Sequence, residues 1–172
     1  MLNFKDFIYQ DLGVTHERVI VRAVLLDENN KIILEHLIRD DGFGESNYVE
    51  TPGGGVNESE TLENALIREI KEELGLESEI ICPLEIVKDY YNLIHRCNIN
   101  HYYLAKVIGK CESSLEELEK KIIVGTYVLD IDEAINKMEN NAGDLGKLVR
   151  QRELPILKLA KSKMKELKLC LK

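Results

Sequence analysis

The chain has 172 residues, of which 44% are hydrophobic and 31% are charged, a balance typical of a globular domain with a full core. The net charge is −8 and the pI is near 5.1, which argues against nucleic acid as the main partner. No apolar stretch approaches the ~20 residues that cross a bilayer, and the N-terminus lacks the features of a signal peptide. We therefore expect a cytoplasmic protein with no membrane partner.

The first half of the chain predicts paired strands. Residues 4–12 indicate a short helix or an extended lead-in, and residues 18–26 are rich in the β-branched and apolar residues of a strand. A polar turn separates them from a second strand at 31–39, so the two strands predict an antiparallel hairpin. Residues 40–47 read as a polar loop, and residues 48–50 as a short extended segment that leads to three glycines.

The second half predicts more strands and two late helices. The segments, in chain order, are strands at 77–90 and 100–108 with a loop near 95–97, a short helix or loop at 113–120, a strand at 122–129, and helices at 131–139 and 153–169. Pro83 predicts a break, bulge or edge position in the first of these strands. Together the elements predict one α/β domain over residues 1–172, with a C-terminal amphipathic helix at about 153–169.

The C-terminal segment is basic. Residues 150–172 contain eight Lys or Arg and two Glu, a balance of +6, so the remainder carries −14. Such a helix can contact an anionic partner or a membrane. Packing of its leucine face on the domain or on a second subunit, with the lysines in water, explains the pattern with fewer assumptions.

Residues 61–75 carry the signals of a helix with defined ends. Thr61 is an N-cap residue, and Gly75 is suited to the left-handed position that follows a helix. Residues three and four apart share a helix face. The apolar stripe that begins at Leu62, Ala65 and Leu66 continues into three acids, Glu69, Glu72 and Glu73.

These three acids form an unfavourable cluster unless a cation binds there. They repel one another, and they lie near the C-terminal end of the helix, where the helix dipole disfavours negative charge. Carboxylate, carbonyl and water oxygens are the ligands that Mg²⁺ and Mn²⁺ prefer. The pattern therefore predicts a site for a hard divalent cation.

The sequence around this cluster resembles the Nudix signature, G-x5-E-x7-R-E-U-x-E-E-x-G-U, in which U is an apolar residue. From Gly54 to Leu76 every fixed position of the signature is present. The preceding Pro52-Gly53 is similar to the usual lead-in of the family. A complete motif at fixed spacing is far more specific than a lone glycine-rich turn.

The resemblance implies a Nudix-like fold, an α/β/α sandwich with a mixed central sheet and a loop-helix catalytic motif. It also implies a Mg²⁺- or Mn²⁺-dependent enzyme that hydrolyses the pyrophosphate bond of a nucleoside diphosphate linked to another group. We expect a small nucleotide of the nucleotide-sugar or ADP-ribose type as substrate, and a homodimer. Two alternatives stay open: hydrolysis of (damaged) nucleoside triphosphates, and a non-catalytic nucleotide-sensing module. No subgroup motif decides between them.

Roles follow for the motif residues. The resemblance implies five charged catalytic residues, Glu60, Arg68, Glu69, Glu72 and Glu73. Glu69, Glu72 and Glu73 are the implied metal ligands, and Glu69 is ligand or base. Arg68 orients a carboxylate, and Glu60 is its implied partner. Glycines 53, 54 and 55 let the backbone approach a phosphate or metal ion, and Gly54 is counted among the metal ligands.

Residues outside the motif give weaker candidates. Arg39 is assigned to phosphate binding, with a surface ion pair as an equal alternative. A further acid for metal or base could come from the loop residues Glu112, Glu116, Glu117 and Glu119, although a solvated helix face is favoured for each. Ordinary packing is likewise favoured over base stacking for Phe43, Tyr48, Tyr90 and Tyr91.

Overall fold

The computed structural model describes residues 1–115 and 119–169. Within these residues seven strands form one mixed sheet, accompanied by four α-helices. The strands are β1 (Leu2–Phe4), β2 (His16–Leu26), β3 (Ile32–Asp41), β4 (Gly44–Glu50), β5 (Leu76–Tyr91), β6 (Arg96–Lys110) and β7 (Ile123–Leu129). The helices are α1 (Leu62–Leu74), α2 (Glu119–Ile122), α3 (Ile131–Glu139) and α4 (Gly143–Glu166).

The sheet combines parallel and antiparallel neighbours. The strand order is β1-β5-β6-β2-β3-β4, and β7 pairs with β3. The β1–β5 and β2–β6 pairs are parallel, whereas β5–β6, β2–β3, β3–β4 and β3–β7 are antiparallel. The lead-in predicted at 4–12 is extended only at its start, in β1.

Helices cover both faces of the sheet, because successive strand residues point to opposite sides. On one face, α1 buries Ala65, Leu66 and Ile70 against apolar side chains of β2 and β6. On the other face, α3 and α4 pack over a larger apolar cluster. This three-layer arrangement is the α/β/α sandwich that the sequence predicts. No helix in the described part of the chain is long and apolar enough to span a membrane.

The β2 and β3 strands diverge soon after their hairpin. Their paired positions are Leu25 with Ile33 and Leu26 with Ile32, next to the turn. Beyond these pairs, the glycine-containing segment replaces β3 as the neighbour of β2. The Val21 amide donates a hydrogen bond to the Gly54 carbonyl at 2.9 Å. The divergence opens a gap between the strands, and the candidate site lies in this gap.

The predicted loop at 40–47 is wrong, because most of it is strand. Strands β3 and β4 pair up to Asp41 and Gly44 and are joined by a tight turn. Gly44 has a φ of 77°, and the Asp41 carboxylate accepts a hydrogen bond from the Phe43 amide at 3.0 Å. The polar composition of this segment reflects an exposed hairpin end rather than an irregular loop.

The long hairpin of β5 and β6 also extends further than predicted. A 3₁₀ turn at Asn92–Ile94 joins the strands, so the loop expected near 95–97 is replaced by the start of β6. The predicted irregularity at Pro83 is confirmed, since the pairing register shifts between Pro83 and Glu85. Proline lacks the amide hydrogen that a regular ladder requires.

The last helix begins about ten residues before the predicted residue 153. Leu145, Leu148 and Val149 continue its buried apolar face toward the N-terminus, and Pro155 lies inside the helix. The predicted apolar face, Leu154, Leu157, Ala160, Met164 and Leu167, is partly correct, because Leu157, Ala160 and Met164 are buried, whereas Leu167 is 42% exposed. The buried part of this face packs on the domain itself.

Two charged residues of the basic C-terminal segment are buried. Arg152 and Glu153 are 1% and 0% exposed. Arg152 donates to Asp89 at 3.2 Å and also pairs with Glu50. Glu153 accepts from Thr51 Oγ1 and from Tyr102 Oη, both at 2.7 Å. This ionic network anchors α4 to β4, β5 and β6 beneath the gap.

Candidate active site

The glycine segment at residues 53–55 has no space for side chains. Gly53 has a φ of 139°, and a Cβ there would lie 2.1 Å from the Val21 carbonyl oxygen. A Cβ on Gly54 would lie 2.5 Å from the carboxyl carbon of Glu69. The Gly54 carbonyl accepts a hydrogen bond from Val21, which leaves its second lone pair for a cation. Glycine here therefore allows a carboxylate of α1 to contact the backbone.

Caps fix both ends of α1, as predicted. The Thr61 hydroxyl accepts a hydrogen bond from the Asn64 amide at 3.2 Å. Gly75 adopts the left-handed conformation with a φ of 63°, and its amide donates to the Lys71 carbonyl at 3.0 Å. With its ends fixed, the helix presents its last turns to the glycine segment, and the Gly53 amide donates to Glu73 Oε2 at 2.9 Å.

Arg68 uses all five of its N–H donors. Nε and Nη2 donate to the two oxygens of Glu60, each at 2.9 Å. Nη1 donates to Glu69 at 2.8 Å and to Glu72 at 2.9 Å, and Nη2 also donates to the Gly55 carbonyl at 3.0 Å. The hydrogen bonds from Arg68 lower the pKa of Glu60. Arg68 thus connects the loop to the helix and orients Glu69 and Glu72.

Three carboxylates converge beside the glycine segment. Ligand oxygens of Glu69, Glu73 and Glu119 all lie within 4.8 Å of one another. Burial raises the pKa of Glu69, although the bonds from Arg68 oppose this rise. Burial and the neighbouring Glu35 and Glu69 carboxylates raise the pKa of Glu73 well above its ordinary value. A hard divalent cation would relieve this repulsion, so the donor set fits Mg²⁺ or Mn²⁺.

Glu72 stands apart from this cluster. Its side chain is 39% exposed, and its carboxylate pairs with Arg68. The structure therefore brings Glu69 and Glu73 together with Glu119, whereas the sequence grouped them with Glu72. Of the other weak acid candidates, Glu112 is exposed, and Glu116 and Glu117 lie outside the described residues.

Glu35 is a site residue that sequence reasoning missed. It is 3% exposed and lies on β3 next to Glu73, and its Oε1 has no hydrogen-bond partner among the described residues. Burial, followed by repulsion from Glu50, raises its pKa to about 8. An acid inside the apolar run of a strand was the only local signal, and its proximity to Glu73 depends on long-range folding.

A cavity of about 210 Å³ adjoins the carboxylates. Its walls come from the six strands β2 to β7 and from α1, α2 and α4, together with the glycine segment. Five arginines line it, Arg18, Arg22, Arg39, Arg96 and Arg152. Such a wall favours an anionic ligand.

Some of the residues predicted as candidates for phosphate binding or base stacking line the cavity, and others do not. Arg39 lines the cavity and also forms an ion pair with Asp41 at 2.7 Å, so both of its predicted roles are compatible with its position. Tyr48 and Tyr91 line the cavity. Phe43 instead makes an edge contact with Tyr91 at 6.1 Å between ring centroids. Tyr90 lies beneath the Lys5 ammonium, 3.7 Å from its ring centroid, and is absent from the cavity lining.

The model of the NUDIX domain matches residues 16–150. The chain belongs to the NUDIX domain family. This membership confirms the predicted family and fold, and it classes the protein as a Nudix pyrophosphohydrolase. No curated protein matches the sequence significantly.

Several solved structures share this Nudix fold. A NUDIX hydrolase from Nitrosomonas europaea aligns with a TM-score of 0.63 and 17% identity, over 91% of this chain and 97% of its own. A MutT NUDIX hydrolase from Burkholderia pseudomallei aligns with a TM-score of 0.55 and 26% identity, over 67% and 84%. An ADP-ribose pyrophosphatase from Streptococcus suis aligns with a TM-score of 0.51 and 19% identity, over 84% and 91%. The similarity supports the fold and leaves the substrate to be argued from the site.

Proposed function

We propose that this protein hydrolyses the pyrophosphate bond of a nucleoside diphosphate linked to another group, with Mg²⁺ or Mn²⁺ as cofactor. The observation that carries the proposal is the convergence of Glu69, Glu73 and Glu119 next to an arginine-lined cavity. The carboxylates provide oxygen ligands for a divalent cation, and the arginines of the cavity provide hydrogen-bond donors for phosphate oxygens. The carboxylate set also disfavours a non-catalytic sensor, which has little need of it.

Each side chain has a role in this proposal. Glu69, Glu73 and Glu119 would hold the divalent ion, with the free lone pair of the Gly54 carbonyl as a further ligand. The bound ion supplies charge neutralisation at the phosphates and lowers the pKa of the attacking water. Arg68 holds Glu69 in place through the 2.8 Å bond. Water adds to one phosphorus, the bridging P–O bond breaks, and the products are a nucleoside monophosphate and the phosphorylated second group.

The substrate screen is the deciding experiment. Purified protein with Mg²⁺ is assayed on ADP-ribose, nucleotide-sugars and nucleoside triphosphates, and products are separated by ion-exchange chromatography. ADP-ribose and nucleotide-sugars are the substrates expected from the sequence, and the S. suis structure named an ADP-ribose pyrophosphatase is compatible with that expectation. Glu73→Gln should lose at least 100-fold in kcat, whereas the exposed Glu79→Gln serves as the matched control. Full turnover by Glu73→Gln on the best substrate would show that the mechanism is wrong.

Three expectations accompany this proposal. The protein is expected in the cytoplasm, as its sequence predicts. Its acidic charge disfavours nucleic acid as a partner. A homodimer stays a prediction from family resemblance alone, since the apolar face of α4 packs on its own domain. Light scattering of the full chain tests the dimer directly, and a monomeric mass would remove it.

A further inference from the structure

Two arginines of the cavity have no acidic partner within the part of the chain that the structure describes. Among the described residues, neither Arg18 nor Arg96 forms an ion pair. Arg18 lies on β2 and Arg96 on β6, and the parallel register places Arg18 beside Asn98, two residues after Arg96. Adjacent strands are about 5 Å apart, and residues two apart share a face of the sheet. Arg18, Arg96 and Asn98 are therefore neighbours on the face that lines the cavity.

Arg96 and Asn98 have buried polar atoms without partners among the described residues, whereas Arg18 is exposed. The Nε of Arg96 is buried without a hydrogen-bond partner in the described part of the chain. Asn98 is 2% exposed, and its Oδ1 is likewise without a partner there. Burial lowers the pKa of Arg96, and the nearby positive charges of Arg18 and Arg39 also lower it, whereas Tyr91 and Asp89 oppose this change. The unpaired Nε donor of Arg96 and the repulsion between the cations together favour a bound anion, whereas the Asn98 Oδ1 is an acceptor and adds nothing to this.

The other three arginines of the cavity have acidic partners, and that of Arg39 is Asp41 at 2.7 Å. Arg22 pairs with Glu50 at 2.5 Å and donates to the Thr51 carbonyl at 2.7 Å. Arg152 pairs with Asp89, Glu50 and Glu153. The uncompensated positive charge is thus concentrated at Arg18 and Arg96.

Arg18 also lies directly beside the catalytic loop. A Cβ on Gly55 would come within 2.4 Å of its Nη2 and 2.8 Å of its Nε, so the guanidinium occupies the space that glycine leaves open. The Gly55 carbonyl accepts from Arg68, which in turn holds Glu69. A phosphate bound at Arg18 would therefore lie close to the diphosphate that is hydrolysed.

We infer that Arg18, Arg96 and Asn98 form a subsite for an additional phosphate group of the substrate, beyond the two phosphates joined by the hydrolysed bond. The inference rests on the proposed function and narrows its substrate class. It favours nucleotides with a third phosphate, whether the terminal phosphate of a nucleoside triphosphate or a phosphate on the second group. A guanidinium fork matches phosphate oxygens with two parallel hydrogen bonds, and the Asn98 amide adds a donor.

Paired substrates test the subsite. The three substrates are a nucleoside triphosphate, ADP-ribose, and ADP-ribose phosphorylated on its terminal ribose, which separates the two sources of the third phosphate. Arg18→Gln and Arg96→Gln should each lower kcat/KM about 10- to 100-fold for at least one phosphate-bearing substrate and less than about twofold for ADP-ribose. Arg96→Lys, which keeps the charge, should lose less than Arg96→Gln. Arg150→Gln, a charge removal outside the cavity lining, is the matched control.

A binding measurement separates this inference from the proposed function. Calorimetry with inorganic triphosphate in EDTA measures the subsite without turnover, and Arg18→Gln should weaken this binding about tenfold. Thermal unfolding confirms that each variant folds. Equal losses on all three substrates, or triphosphate binding unchanged by Arg18→Gln, overturn the subsite. If no substrate is hydrolysed but triphosphate binding depends on Arg18 and Arg96, the proposed function fails while the subsite stands.

Discussion

Replacing Gly54 by alanine should disable the metal site without unfolding the protein. The φ of Gly54 lies outside the left-handed region, so alanine can adopt the backbone conformation without strain. The added Cβ would lie 2.5 Å, 2.5 Å and 2.6 Å from the carboxyl carbon and two oxygens of Glu69. The clash falls on the end of a flexible side chain, which can move away.

The size of the effect follows from these distances. Ordinary contact begins at 3.4 Å, so the Glu69 carboxylate must move by at least 3.4 − 2.5, about 0.9 Å. A displacement of ~1 Å in a catalytic group costs on the order of 100-fold in rate, or about 2.7 kcal/mol. We expect Gly54→Ala to lower kcat/KM by about that factor and to weaken Mg²⁺ binding, with a change in Tm measured in EDTA of less than ~3 °C.

The assay combines Mg²⁺-dependent turnover on the best substrate with thermal unfolding in EDTA. Gly125→Ala is the control, because a Cβ there meets nothing within 4 Å. If Gly54→Ala kept parental turnover and Mg²⁺ dependence, the contact between Gly54 and Glu69 would have no part in metal binding.

Three further predictions concern the charged groups of the site. In EDTA, Glu35→Gln should stabilise the protein by about 2–4 kcal/mol at pH 8 and by little at pH 5, measured by urea unfolding. The Glu35 carboxyl has a pKa raised from 4.5 to about 8, so between these pH values the folded state holds a proton that the unfolded state has released. The stability of the parent protein therefore falls as the pH rises through this range, and glutamine removes that loss. A stabilisation by Glu35→Gln that is the same at pH 5 and pH 8 would refute this reason. Arg68→Lys should lower kcat/KM at least ~10-fold, because lysine cannot reproduce the fork that joins Glu60, Glu69 and Glu72; steady-state kinetics measures it, and unchanged kinetics would contradict the orienting role. Mg²⁺ at 100 times its Kd for the parent protein should raise the free energy of unfolding of the parent by about 2.7 kcal/mol, measured by thermal unfolding. The same gain in Glu73→Gln at the same Mg²⁺ concentration would exclude Glu73 as a ligand.

The parts of the site that local sequence predicts are those within one loop and one helix. Thr61 and Gly75 mark the ends of α1 because caps depend on neighbouring residues. The facing of Glu69 and Glu73 follows from helical spacing alone. The pairing of Glu60 with Arg68 needed the family resemblance, since Glu60 lies before the N-cap of α1, in a loop whose path is not set by helical spacing.

The parts that sequence does not predict depend on pairing between distant strands. Glu35 meets Glu73, and Glu50 meets Arg152, only after β3 and β4 are placed beside the glycine segment and α4. Glu119 looked like part of a solvated helix, because its approach to Glu69 is a tertiary contact. Local sequence does not predict the early start of α4, because Asn140, Asn141 and Gly143 are typical loop residues. The helix begins there because its apolar face is buried against the domain.

The divergence of β2 and β3 places the proposed metal ligands and the proposed phosphate-binding residues on different elements. Residues proposed to bind the ion lie largely on α1 and its loop, whereas the residues proposed to recognise the third phosphate lie at alternate positions of β2 and β6. The alternate residues on β2 that face α1, such as Val21 and Ala23, keep the helix in place. Substrate preference should therefore be changeable without changing the residues proposed to bind the ion. A library of variants randomised at residues 18, 96 and 98 can be screened for activity on other nucleotides, while the proposed metal ligands stay unchanged.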